Sequence, residues 1–193
     1  MGKKISVVIP NYNGRQLLSK NLPQVLKNCP DCQMIVVDDA STDGSASFIK
    51  ENFKKIKVIE HPINKQSFSS NRGFANAVNR GVENASGDLV LLLNSDVSPR
   101  PNFIKVAAEH FEKDKGDLFA VGLADYSHED GKIIVRGRGG AKFKKGFLSH
   151  FKASSAAGET LWVSGGSSLV ARDKFLELGG FDDVYAPFYW EDI

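Results

Sequence analysis

An α/β fold built on a mostly parallel central sheet is predicted by three features of this chain. Residues 1–60 alternate short apolar runs with amphipathic segments, the pattern of parallel strands joined by helical crossovers. Leu89-Val90-Leu91-Leu92-Leu93 is apolar at every position, as expected of a strand covered on both faces. That run stops abruptly on Asn94-Ser95-Asp96, and Met34-Ile35-Val36-Val37 stops in the same way on Asp38-Asp39. Ligands in open α/β sheets gather beyond the carboxyl ends of such strands. Two strands delivering acids to one rim therefore predict a metal and phosphate site.

The elements follow in order. Ile5 to Ile9 reads as the first buried strand, and Pro10-Asn11-Tyr12-Asn13-Gly14 as the turn after it. Leu17, Leu18, Leu22, Val25 and Leu26 recur at helical spacing. A second strand runs from Gln33 to Asp38, and Ala40-Ser41-Thr42-Asp43-Gly44 leads into a helix carrying Phe48 and Ile49. Lys57 to Glu60 is a third, shorter strand. A longer helix is expected from Ser70 to Val82, with Phe74, Ala75, Val78 and Val82 inward and Ser86-Gly87 closing the unit before the Leu89 strand. Pro99 and Pro101 punctuate the chain. Asn102 is placed to cap a helix carrying Phe103, Ile104, Val106, Ala107 and Phe111. Beyond Gly116 the alternation fails. Strands are expected over Phe119 to Leu123, Ile133 to Val135, Leu161 to Val163 and Leu169 to Ala171, with a long irregular segment before Leu161.

Lys132 to Lys152 holds seven Lys or Arg and no Asp or Glu, interleaved with Phe143, Phe147 and Phe151. A solvated basic loop is one reading. A surface for an anionic acceptor or an acidic membrane is the other, since basic segments with apolar anchors suit membrane interfaces.

Composition narrows the classes. The 193 residues suffice for one domain with a sizeable core, and 41% hydrophobic with 25% charged residues is ordinary for a globular protein. A net charge of +2 is too small to argue for nucleic-acid binding, so no nucleic-acid partner is expected and any basic partner surface would be local. No segment approaches the roughly 18 apolar residues of a membrane span, and none resembles a signal peptide, so a cytoplasmic location is expected. Cys29-Pro30-Asp31-Cys32 reads as an ordinary turn with reduced thiols, because it closes a helix instead of opening one and lacks a second ligand pair for zinc. The first turn has one glycine where a dinucleotide site would have three, and a Walker A loop is missing.

Four blocks carry a more specific resemblance: Ser6-Val7-Val8-Ile9-Pro10-Asn11-Tyr12-Asn13, Val37-Asp38-Asp39-Ala40-Ser41-Thr42-Asp43-Gly44, Asn94-Ser95-Asp96, and Gly179-Gly180-Phe181-Asp182 followed by Trp190-Glu191-Asp192. In this order they resemble family-2 glycosyltransferases of the GT-A fold. The resemblance implies a three-layer α/β/α arrangement, with residues 1–193 forming one catalytic domain. The chain ends directly after the last block, where the family continues into a helix, so it reads as lacking its C-terminal helices. The implied activity is inverting transfer of a sugar from a nucleoside diphosphate sugar to a glycan or lipid-linked acceptor. It is assisted by Mg²⁺ or Mn²⁺ and takes place in the cytoplasm or peripherally at the inner face of a membrane.

By position in the motifs, Pro10, Tyr12 and Asp39 are implied to line the nucleobase pocket, with Asp38 in support. Arg72, at the start of the long helix, is implied to help hold the nucleotide. Asn94-Ser95-Asp96 departs from the family's Asp-x-Asp: Asp96 remains the implied metal ligand, and Asn94 offers a neutral oxygen. Asp192 matches the catalytic base. Glu191 and Trp190 are implied to bind the acceptor. Gly165 and Gly166, ahead of the Leu169 strand, would let backbone approach the donor sugar. Two other readings stand beside this one: a nucleotide-sugar binding domain without catalysis, and a sugar nucleotidyltransferase, whose glycine-rich phosphate loop is missing here.

Overall fold

The computed structural model describes residues 2–62, 71–114 and 116–182. Four parallel strands come first: β1 (Ile5–Asn11), β2 (Gln33–Asp38), β3 (Ile56–Glu60) and β4 (Leu89–Leu93). They are connected through α1 (Arg15–Asn28), α2 (Ser45–Asn52) and α3 (Phe74–Glu83). After α4 (Phe103–Lys113) come β5 (Ala120–Gly122), β6 (Asp125–Glu129), β7 (Lys132–Arg136), β8 (Gly139–Lys144), β9 (Phe147–Lys152), β10 (Ser167–Ala171) and α5 (Arg172–Glu177). The main sheet runs β3-β2-β1-β4-β10-β5, with β10 antiparallel to both of its neighbours.

The alternation of the buried strands builds the three layers. Leu89, Leu91 and Leu93 point to one face of the sheet with Val7 and Ile9, where they meet Leu18, Leu22 and Val25 of α1, Ile49 of α2, and Ala107 and Phe111 of α4. Val90 and Leu92 point the other way with Val8 and Ile35, against Ala77, Val78 and Val82 of α3 and Phe175 of α5. An unbroken apolar run was the signal because each neighbouring residue serves a different core.

Sequence and structure part in four places. The helix expected from Ser70 begins at Phe74 instead, because Gly73 takes φ +91° and the amides of Arg72 and Gly73 turn toward Asp39. Asn102 does precede α4, but with left-handed backbone and no side-chain cap. Leu161 to Val163 is not a strand; Leu161 donates sideways to the Gly139 carbonyl at 3.1 Å. The segment expected to be irregular forms the β8–β9 hairpin, preceded by a second hairpin, β6–β7. Each turns through two residues of positive φ, Asp130-Gly131 (47°, 74°) and Lys145-Gly146 (52°, 82°). Such pairs make the tight type I′ turn that matches strand twist. Cys29 caps the C-terminus of α1 ahead of β2, at the opposite end of the sheet from Asp38. There the hydrogen bond with Cys32, and then burial, push the Cys29 thiol up, while the same bond lowers that of Cys32.

Candidate active site

Strand order alone marks a place for a ligand. The chain lays down β1, β2 and β3 in one direction, then returns to the other side of β1 with β4. The carboxyl ends of β1 and β4 therefore flank the switch point where crevices form in open α/β sheets. Pro10 and Asn11 end β1 and Tyr12 follows it, and Asn94-Ser95-Asp96 forms the turn beyond β4. Pro10 is half-buried, and Tyr12 is 51% exposed.

Asp38 is a structural hub. It is buried, accepts from Asn11 Nδ2 at 2.8 Å and from the Ser41 amide at 2.9 Å, and so joins the ends of β1 and β2. Asn13 and Ser41 tie the next residues together: the Asn13 amide donates to Ser41 Oγ and the Thr42 amide to Asn13 Oδ1, both at 2.8 Å. One turn further on, Asp43 accepts from the Arg15 amide at 2.8 Å and from the amide and hydroxyl of Ser45. Partial burial works to raise its pKa, but these hydrogen bonds prevail and hold the carboxyl below its ordinary value.

Asp39 is only 3% exposed. His61 Nδ1 lies 2.7 Å from its Oδ1; the Arg72 amide reaches both oxygens at 3.0 and 2.9 Å, and the Gly73 amide reaches Oδ2 at 2.9 Å. This explains a difference from the expectation for Arg72. It lies two residues ahead of α3, and it is the backbone amide that engages Asp39, while its side chain is exposed. His61 is 2% exposed, and its Nε2 has no hydrogen-bond partner among the described residues.

Across the crevice, the Asn94 amide donates to the Gly166 carbonyl at 2.9 Å. A Cβ on Gly166 would fall 2.4 Å from Asn94 Nδ2, so only glycine lets this backbone lie on the Asn94 side chain. Gly165 is packed against the rings of Phe74 and Phe181. Asp96 is exposed, and no hydrogen bond or ion pair ties its carboxylate among the described residues. Trp190, Glu191 and Asp192 lie outside the described residues.

Several contributors were not anticipated from the sequence. Asn21, buried among the leucines of α1, donates to the Ser95 carbonyl at 2.9 Å and fixes the turn carrying Asp96. Asn79 of α3 bonds both the amide and the carbonyl of Phe181 at 2.8 Å, and Phe181 meets Phe74 and Phe175 ring to ring. An asparagine on the inner face of an amphipathic helix was the available signal, since a buried amide needs partners. No cluster of three or more His, Cys, Asp or Glu able to hold a metal occurs among the described residues. A cation here would need oxygens from its ligand beside Asp96.

Residues 6–178 match the model of Glycosyl transferase family 2. The chain is 36% identical over 107 residues to undecaprenyl-phosphate 4-deoxy-4-formamido-L-arabinose transferase of Proteus mirabilis, covering 52% of this chain and 31% of that protein. It is 28% identical over 168 residues to dolichyl N-acetyl-alpha-D-glucosaminyl phosphate 3-beta-D-2,3-diacetamido-2,3-dideoxy-beta-D-glucuronosyltransferase of Methanococcus voltae, covering 76% of this chain and 50% of that one. Among solved structures it resembles the mannosyltransferase PcManGT of Pyrobaculum calidifontis in complex with GDP-Man and Mn²⁺ (TM-score 0.65, 18% identity, 95% of this chain and 48% of that chain). It also resembles S. aureus TarS in complex with UDP (TM-score 0.67, 18% identity, 95% and 52%). These likenesses agree with the three-layer GT-A fold. The chain spans between about a third and a half of the length of these proteins.

Proposed function

The chain belongs to glycosyl transferase family 2, and on that premise we propose that it carries the donor site of an inverting, metal-dependent glycosyltransferase. Its donor is a nucleoside diphosphate sugar and its acceptor a glycan or lipid-linked molecule, met peripherally at the cytoplasmic face of a membrane. The relatives named for undecaprenyl-phosphate and dolichyl phosphate support a lipid-linked acceptor. One observation carries the reading. Of the acids at the ends of β2 and β4, Asp38 and Asp39 are buried and bonded, whereas Asp96 is exposed and has no partner among the described residues, beside the crevice that flanks β1 and β4.

In this reading the nucleobase lies past β1 against Pro10 and the ring of Tyr12. Asp39 already receives three donors, from His61, Arg72 and Gly73. The Arg72 amide is shared between both carboxylate oxygens, so the four contacts fill the roughly four acceptor positions and a base imide N–H would take over one of the two that Arg72 shares. Asp38 holds Asn11 and the Ser41 turn in place around it. The Arg72 guanidinium offsets diphosphate charge, and Asn94 presents a neutral oxygen to the ribose.

A hard divalent cation takes one or two protein carboxylates and completes its shell with phosphate oxygens and water. The exposed Asp96, with Asn94 beside it, fits that donor set for Mg²⁺ or Mn²⁺. When bound, such an ion supplies Lewis-acid stabilisation of charge on the departing diphosphate. Gly165 and Gly166 keep the backbone close to the donor sugar, while Trp190 and Glu191 hold the acceptor. The acceptor oxygen attacks the anomeric carbon from the face opposite the diphosphate, the bond to the diphosphate breaks, and Asp192 takes the hydroxyl proton.

Calorimetric titration with UDP, GDP and dTDP, each with Mn²⁺ and with chelator, tests this. One nucleotide is expected to bind in a metal-dependent way, and at least about tenfold more weakly to Asp96→Ala with an unchanged unfolding midpoint. Binding indifferent to both the metal and the substitution would overturn the metal role of Asp96.

A further inference from the structure

We propose that the β8–β9 hairpin is a docking device whose tip enters the headgroup region of an anionic lipid bilayer and brings the donor rim up to the membrane. The function given to that rim rests on the glycosyltransferase reading.

The hairpin is firmly held at one end and bare at the other. At its base, Gly139 donates to Thr160 Oγ1 at 3.0 Å and accepts from the Leu161 amide at 3.1 Å. Trp162 lies so close over Gly139 that a Cβ there would be 2.1 Å from the indole, and the ring of His150 packs 5.1 Å from that indole. Arg138, just outside the hairpin, donates to the Ser154 and Glu159 carbonyls. Away from this base, every residue of β9 and the last three of β8 are exposed.

What the tip exposes is apolar and cationic. Phe143 is 75% exposed, Phe147 76% and Leu148 57%. The register sets Phe143 opposite Leu148 and Lys144 opposite Phe147. Directly opposed residues share a face, so Phe143 and Leu148 project from one side of the ribbon and Phe147 from the other. Single exposed apolar residues are commonplace on protein surfaces, but three within six residues around a tight turn make the tip apolar on both of its faces. Lys142, Lys144 and Lys145 lie around it, while Lys152 stands at the base opposite Gly139, and Lys142 Nζ lies 5.4 Å from the Phe151 ring. No acid occurs from Lys132 to Lys152 to neutralise them. Aromatic rings settle at the bilayer interface, and lysines are drawn to an anionic leaflet. Charge and apolarity thus complement an acidic lipid surface.

The placement has a consequence for the site. β5 ends at the rim, where the Leu123 amide donates to the Ser167 carbonyl at 3.0 Å, directly after Gly166. Arg100, shortly beyond the Asp96 turn, covers the Tyr126 ring of β6 at 4.2 Å. The two hairpins are therefore inserted at the rim that carries Asn94 and Asp96. A tip anchored in lipid would hold that rim near the headgroups, where the phosphate of a lipid-linked acceptor lies.

The test is co-sedimentation of the whole chain with vesicles of phosphatidylcholine alone and of phosphatidylcholine mixed with phosphatidylglycerol, at low and high salt. Two variants are compared, one carrying Phe143→Ser, Phe147→Ser and Leu148→Ser, the other Lys142→Gln, Lys144→Gln and Lys145→Gln. Binding is expected to the phosphatidylglycerol vesicles, weakened by high salt and by at least about tenfold in each variant. Phe147→Ser alone, expected to lose part of the binding, serves if the triple variant unfolds. No binding to acidic vesicles, or binding that ignores the tip, overturns the inference; so does tip-dependent self-association without vesicle binding, which would assign the tip to a second copy. Nucleotide titration of the same samples separates the two claims: intact nucleotide binding with no vesicle binding defeats only the docking role, and the reverse defeats only the donor-site reading.

Discussion

Between Ile5 and Leu93 the strands β1, β2 and β4 are buried along almost their whole length, and the acids beyond β2 are bonded to backbone amides. Between Asp125 and Lys152 the ladders are just as regular, yet most side chains face outward, and aromatic rings stand among lysines. The same backbone architecture thus serves opposite ends. In the first region side chains are committed to packing and to shaping a crevice; in the second they are left available for contact. Substitutions should therefore register as lost stability in one region and as lost binding in the other.

The largest difference is expected from apolar truncations. Leu91 is fully buried between β1 and β10, whereas Phe147 is 76% exposed. Leu91→Ala should lower unfolding free energy by about 3 kcal/mol through lost transfer and an unfilled cavity. Phe147→Ala should change it by less than about 0.5 kcal/mol. Urea unfolding of both would break the comparison if the two losses came out alike.

A smaller effect sharpens the contrast within the rim itself. Asp39→Ala leaves the buried His61 Nδ1 and the Arg72 and Gly73 amides without their acceptor. Unsatisfied buried donors of this kind cost roughly 1–3 kcal/mol, so this variant should lose both stability and nucleotide affinity. Asp96→Ala should lose affinity alone. Chemical unfolding alongside calorimetry distinguishes them, and an Asp39→Ala protein of undiminished stability would mean that the hydrogen bonds around this carboxylate contribute little.

Legibility in the sequence follows the same division. Strands β1, β2 and β4 could be placed within about two residues because burial on both faces leaves continuous apolar runs, and the acids ending two of them marked the rim. What those acids bond to could not be read, because the donors of Asp39 come from His61, Arg72 and Gly73, far along the chain. The hairpins lacked the usual alternation of apolar and polar residues because neither face of β9 is covered. Asp130-Gly131 was a turn signal strong enough to find the first one; Lys145-Gly146 is weaker, since lysine seldom takes positive φ. Leu161 to Val163 misled in the other direction: Trp162 packs on Gly139 at the hairpin base and Val163 on Gly122 of β5, without a ladder.

The smallest expected effect concerns Asp43, whose carboxylate ties the start of α1 to the start of α2 through Arg15 and Ser45. Partial burial acts to raise its pKa, but the hydrogen bonds outweigh it and the folded-state pKa lies below the ordinary 3.8. A pKa depressed by folding contributes stability that is present above the unfolded value and fades as pH falls through the folded one. Asp43→Asn should consequently be slightly less stable than the wild type at neutral pH. The gap should narrow as pH drops below 3.8 and the wild-type carboxylate takes up its proton. Urea midpoints measured for both proteins across that range provide the check. A gap that stayed constant would mean that the asparagine disturbs the turn for steric reasons, and that the charge of Asp43 adds nothing to the junction between the two helices.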